Sequence, residues 1–177
     1  DDIEHELVAD GWPGILNPTA RAHAGIGLIR RIAKPGIPVY KKPLYASDIK
    51  RRIEDYYLPY HDALKTLSDR IKYNFGQVWH VNCHSMPSQR YHLRRNAVKT
   101  YRPIGMFQQM PDFVLGDRDG TSCMRDFTQS LSHYLRSRGF KVAINDPYRG
   151  VELVKRHGQP AIGRHSLQLE INKALYW

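Results

Sequence analysis

The chain has 177 residues, with 27 Lys+Arg against 17 Asp+Glu and a formal net charge of +10 at pH 7. Its 41% hydrophobic and 25% charged content, with 11 Tyr and 3 Trp, excludes a disordered chain; two Cys exclude a disulfide framework. No apolar run reaches the roughly 20 residues of a membrane helix. The length predicts one domain over 1–177, and the charge leaves nucleic acid or an anionic substrate as partner. The opening DDIEHEL carries no basic-then-apolar leader and no initiator Met. Secretion is not indicated, and a missing start is an expectation.

Gly11, Pro13, Gly14, Asn17 and Pro18 break any period in the first 24 residues. Residues 25–33 (GIGLIRRIA) predict a strand, Pro35-Gly36 a turn, and 37–40 a second strand, together a hairpin. The clearest helix is 47–75. Ser47 is its expected N-cap, with Asp48 in the first turn. Ile49, Ile53, Tyr56, Tyr57, Tyr60, Leu64, Leu67 and Ile71 recur at spacings of three and four, which puts them on one face. Gly76 stops the helix, and Pro59 predicts a kink or split near Tyr57.

Residues 77–83 (QVWHVNC) predict a strand in which Val78, His80 and Asn82 alternate with Trp79, Val81 and Cys83. It is expected to end at His84, because Pro87 cannot continue a central strand. Residues 88–110 show no period and read as a long surface loop, of the kind that is functional or disordered. A strand at 113–115, a helix from Thr121 or Ser122 to Gly139, a strand at 140–145 and a loop at 148–163 follow. The helix presents Met124, Phe127, Leu131, Tyr134 and Leu135 on its apolar face. In the last strand, 165–172, His165, Leu167, Leu169 and Ile171 face one side. Ser166, Gln168, Glu170 and Asn172 face the other. Helices alternating with strands imply an α/β layer fold with a largely parallel sheet.

Reactive groups in such sheets collect at the carboxyl ends of strands. His84 sits at one such end. Its imidazole suits a zinc ligand, or a hydrogen-bonded loop histidine. Glu170 lies on the polar face of an otherwise apolar strand. That suits a half-desolvated general base, or a sheet-face carboxylate paired with an arginine. Arg118, Arg149 and Arg164 can clamp a carboxylate. Asp112, Asp117 and Asp119 read as turn residues, and Cys83 and Cys123 as small buried thiols. No complete zinc site is visible by motif.

Four segments in order, VNCHSMPS (81–88), PDFVLGDRDGTSC (111–123), NDPYRG (145–150) and HGQPAIGRHSLQLEINKALYW (157–177), resemble the N-formylglutamate amidohydrolase family. GIGLIRRI and YYLPYHDAL resemble its middle region, so the likeness runs from about residue 20 to the end. The resemblance implies a three-layer, mixed and largely parallel sheet flanked by helices, like that of zinc carboxypeptidases and aspartoacylase-type deacylases. It implies hydrolysis of the N-formyl amide of glutamate, or of another N-acyl amino acid, in histidine breakdown in the cytoplasm. By the same resemblance zinc is the cofactor, His84 a metal ligand and Glu170 the general base. Arg118, Arg149, Asn145, His165 and Gln168 bind substrate, and Ser85 and Asp117 orient the site.

Family members carry an upstream strand ending in a Pro-His-Ser-Gly-like motif that supplies further ligands. This chain has none, so it is expected to lack the N-terminal strands. Val151, Lys173 and Trp177 depart from the family's usual Gly, Arg and Met. A lysine in place of a substrate-binding arginine would lose bidentate recognition. Two other readings stand beside the hydrolase. One is a binding relative without metal. The other is a nucleic-acid binder using the basic, tyrosine-bearing stretch 90–102. The oligomeric state is not legible in the sequence.

Overall fold

The computed structural model describes residues 24–25, 27–34, 37–42, 44–90 and 108–177. The chain divides into two compact units, 1–64 and 65–177. No described helix is long and apolar enough to cross a membrane.

In the first unit, β1 (Ile32–Lys34) and β2 (Ile37–Pro38) form the expected antiparallel hairpin, with Ile32 opposite Pro38. Its first strand is shorter than 25–33. The Gly25 carbonyl accepts the N–H groups of both Arg31 and Ile32, at 2.8 and 3.1 Å, which curls the chain before the strand begins. Helix α1 (Ala46–Arg52) begins after Tyr45 with no side-chain cap, so Ser47 lies inside the helix and does not cap it.

A π turn, Ile53–Tyr57, joins α1 to α2 (Leu58–Phe75). This is where Pro59 acts. It has no N–H to donate and its ring crowds the carbonyl four residues back, and a widened turn relieves both. The π turn shifts the helical rows on either side of it. Ile49 and Ile53 are buried with Leu28, Ile29, Leu44 and Tyr57, whereas Tyr56, Tyr60 and Leu67, expected on the same face, are exposed. His61 is buried against the rings of Tyr57 and Tyr60.

The second unit is built on a four-stranded sheet in the order β3 (Val78–Met86), β8 (Arg164–Asn172), β6 (Phe113–Gly116), β7 (Val142–Ile144). β3 pairs parallel with β8 and β6 parallel with β7, but β6 and β8 are antiparallel. The largely parallel sheet expected from sequence is therefore two parallel pairs running in opposite senses. Connection order alone could not reveal this, because β8 enters between strands that precede it in the chain. β3 also runs to Met86, past the expected end at Cys83. Its parallel register with β8 continues through His84, Ser85 and Met86, and only Pro87 stops it.

Helix α3 (Arg125–Ser137) starts later than expected, because Asp117 ties residues 118–122 into turns: its carbonyl accepts the N–H groups of Gly120 and Ser122. Phe127, Leu131 and Leu135 of α3 pack on Leu115, Cys123, Val142 and Leu167 to make the core on one face of the sheet. Met124 precedes the helix and Tyr134 is exposed, so neither joins that face. The region 148–163, expected as loop, holds α4 (Glu152–His157) and a 3₁₀ turn, Pro160–Ile162. A helix of six residues is too short for periodicity to show. Two-residue strands β4 (Gln89–Arg90) and β5 (Gln108–Gln109) pair antiparallel. They bracket the rest of the expected 88–110 loop, of which 91–107 lies outside the described residues.

Candidate active site

The period-2 reading of β8 holds in full, and its polar face organises the site. Ser166, Gln168, Glu170 and Asn172 are all buried. Their partners across the parallel pairing are His80, Asn82, His84 and Met86. Cross-strand partners share a face, so His84 stands directly beside Glu170. On the other side of Glu170 is Val114 of β6, in a small apolar cluster with Met86, Met110, Ala143 and Tyr148. Glu170 is thus 6% exposed, between an imidazole and an apolar wall. A buried carboxylate needs partners. Gln168 supplies one, its Nε2 donating to Glu170 Oε1 at 2.7 Å.

Gln168 does not present a free amide to substrate. Its other end, Oε1, accepts the Val151 N–H at 3.3 Å. The carboxamide therefore links the Glu170 carboxylate to the segment carrying Arg149 and Gly150. Val151 fits where a glycine was expected, because its φ of −116° is open to any residue.

His84 is exposed, and its Nε2 lies 2.9 Å from Asn82 Nδ2. His80, which sequence reasoning left unassigned, is four residues earlier on the same face. Its Nδ1 is 2.8 Å from the Ser166 hydroxyl, and its ring meets the buried His157 of α4 edge-on. Burial pushes the His80 imidazole below its ordinary pKa. The even spacing of His80, Asn82 and His84 was the signal that could have found it.

His165 and Ser85, expected with this group, fall on the opposite face by strand alternation. His165 is buried and stacked on Trp79 with centroids 3.9 Å apart, and its Nδ1 accepts the Met124 N–H at 3.2 Å. Burial lowers its pKa. The sign follows from linkage. The unfolded chain binds the proton at about pH 6.5 and the folded chain only at lower pH, so this stability is present above about pH 6.5 and lost as pH falls through the folded pKa. His80 acts in the same direction. The melting temperature should therefore fall from pH 7 to pH 5, and His165→Gln, which keeps an acceptor for Met124, should flatten that slope. An identical slope in the variant would refute the assignment.

The two arginines of the matching motifs lie in loops at the carboxyl ends of β6 and β7. Arg118 donates from its guanidinium to Gly150 O at 3.2 Å, and Arg149 pairs with Asp119. The side-chain amide of Asn145 is engaged with Asp117. Gly116, where the first of these loops begins, is opposite Gln168. That is two residues, or about 7 Å, along the strand from Glu170. Arg164 is committed elsewhere, in an ion pair with Asp69 of α2. Asp112 keeps a turn role, its Oδ2 accepting the Lys141 N–H. Cys83 is exposed, against expectation; Cys123 is buried. Burial above all, with the nearby Asp117 charge adding, pushes the Cys123 thiol up to about 11, so at neutral pH it is not a nucleophile.

Catalytic zinc takes three protein ligands and keeps one open position. Among the described residues no group of three or more His, Cys, Asp or Glu could hold a metal. His84 and Glu170 by themselves are not a metal site.

The family model described as N-formylglutamate amidohydrolase matches residues 7–177. The chain belongs to this family. It is 28% identical over 158 residues to the N-formylglutamate deformylase of Pseudomonas putida, covering 88% of this chain and 55% of that protein. The Pseudomonas aeruginosa N-formylglutamate deformylase is 26% identical over 144 residues, covering 80% of this chain and 50% of that protein. In three dimensions the chain is similar to the N-formylglutamate amidohydrolase of Ralstonia eutropha JMP134, with a TM-score of 0.80 and 39% identity over 98% of this chain and 60% of that one. The chain thus spans about half the length of the curated relatives it matches. In this chain the four motifs quoted above fall at the end of β3, on β6 and the β6–α3 loop, in the loop after β7, and on β8 with its approach.

Proposed function

We propose that this chain carries the general base and the carboxylate-binding loops of an N-formylglutamate amidohydrolase, which hydrolyses the formyl amide to formate and glutamate. The observation that carries the reading is the pairing of His84 with Glu170 on one polar sheet face. Membership of the family, matched over 7–177, supports it.

Glu170 takes a proton from the attacking water as it adds to the formyl carbon. It then returns that proton to the departing nitrogen as the C–N bond breaks. Gln168 fixes which oxygen faces the reaction, by occupying Oε1. Arg118 and Arg149 attract and orient the substrate's carboxylates, within a chain of net charge +10.

His84 would be one ligand of a zinc ion whose other ligands come from outside the described residues. When bound, zinc supplies Lewis-acid polarisation of the formyl group. The zinc-exopeptidase-like fold belongs to the same proposal, supported by the mixed sheet flanked by helices.

The test is formate release from N-formylglutamate by the full chain, with N-acetylglutamate as the comparison and zinc content measured alongside. Turnover of the formyl substrate with stoichiometric zinc, and zinc lost in His84→Ala, is the expected result. Stoichiometric zinc with no release of formate overturns the substrate. No zinc and no turnover with glutamate still bound favours a binding relative.

A further inference from the structure

The loops that carry Arg118 and Arg149 are held together by a side-chain clasp. Asp117 is 2% exposed. Its Oδ1 accepts the Gly120 N–H at 3.0 Å and Asn145 Nδ2 at 2.7 Å. Its own N–H donates to Asn145 Oδ1 at 3.0 Å, and the Asn145 N–H donates to Leu115 O at 2.8 Å. The Asn145 amide thus bonds both the carboxylate and the backbone N–H of Asp117, and Asn145 is anchored in turn to the end of β6. The arginines follow from this arrangement. The Arg118 N–H donates to Arg149 O at 2.9 Å, and the Arg118 guanidinium reaches Gly150 O.

The loops are also pressed together. A Cβ on Gly116 would come within 2.7 Å of Gly150 N and 2.8 Å of the Arg149 carbonyl carbon. Arg118, Asp119 and Asn145 all take left-handed backbone, at φ of 54°, 60° and 59°. Asn and Asp adopt such backbone more readily than other non-glycine residues, whereas Arg does so only where its surroundings favour it; Arg118 directly follows the clasp residue Asp117.

We propose that Asp117 and Asn145 are positioning residues that set Arg118 and Arg149 side by side as one carboxylate-binding edge. In this role Asp117 acts as a hydrogen-bond acceptor and its charge is not required. Both donors converge on the single oxygen Oδ1, and an asparagine amide oxygen can receive both. Asn145, whose amide is spent on Asp117, does not bind substrate itself. The inference rests on reading this face as the site of a dicarboxylate substrate.

The experiment measures glutamate and glutarate binding to the full chain by calorimetry, together with KM and kcat for N-formylglutamate. Asp117→Ala should weaken binding and raise KM about tenfold or more, with kcat changed much less. Asp117→Asn should restore both to within about threefold. Asn145→Gly keeps the left-handed backbone while deleting the amide, and should raise KM as Asp117→Ala does.

If the alanine variant fails to fold, the Asn and Gly variants still decide. Asp117→Asn as weak as a deletion shows that charge is what matters, and overturns the proposal. So does unaltered binding in Asn145→Gly, or a wild-type chain that binds neither dicarboxylate. A chain that binds both dicarboxylates tightly but releases no formate refutes the hydrolase reading and leaves the clasp to be judged on affinity.

Discussion

Glu170→Gln should abolish measurable formate release, with an expected fall in kcat of about 10² to 10⁴, the range general acid–base groups contribute. The change is nearly isosteric. Its amide oxygen can still accept from Gln168 Nε2, so the strand keeps its hydrogen bond and the fold survives. What is lost is a carboxylate able to accept a proton. Circular dichroism matching the wild type, beside the lost turnover, is the expected pair of results. A variant retaining activity within about tenfold would show that the base lies elsewhere.

Leu167→Ala should cost about 2–5 kcal/mol of stability. Leu167 is 0% exposed on β8, at the centre of the core with Leu115, Cys123 and Val142. Burying a leucine contributes about 1.5–3 kcal/mol, and truncation adds a cavity term where neighbours cannot collapse. Here they include Phe113, Phe127, Leu131 and Leu169, fixed on sheet and helix. In a chain of 177 residues this corresponds to a melting temperature lower by about 5–15 °C. Tyr73→Ala, at a 91% exposed position, should stay within about 0.5 kcal/mol. Equal losses at the two positions would contradict this core.

The face of each β8 residue was legible because strand alternation is rigid: one register slip would invert all nine residues, and none occurs. His84 and Glu170 were both found from the residues, yet for separate reasons. That they are neighbours follows from the β3–β8 register, which no local pattern encodes. His165 shows the converse. A motif placed it with the site, while its odd position in the strand, legible from the start, put it under Trp79 on the other face. Gln168 and Asn145, expected to bind substrate, have their side-chain amides engaged within the protein. Side-chain amides and carboxylates look available in a sequence, and only the structure shows that their donors and acceptors are already spent on one another. The end of β3 was misread because His84 and Ser85 carry no strand propensity strong enough to outweigh Pro87, whereas a parallel partner does. α4 was lost because one and a half turns leave no period to detect.

The reversal of direction between β8 and β6 has a consequence for how specificity can change. Glu170 stands towards the carboxyl end of one parallel pair, while the loops of Arg118 and Arg149 leave from the carboxyl end of the other, which the antiparallel seam sets towards the opposite end of the sheet. Gln168 spans between them, bonded to Glu170 on one side and to the Val151 N–H on the other. On the proposed function, their separation is set by strand register, in steps of about 7 Å on one face, with finer adjustment by the loops at 116–120 and 145–150, so those loops could be altered for a shorter or longer acid without changing the strand that holds Glu170.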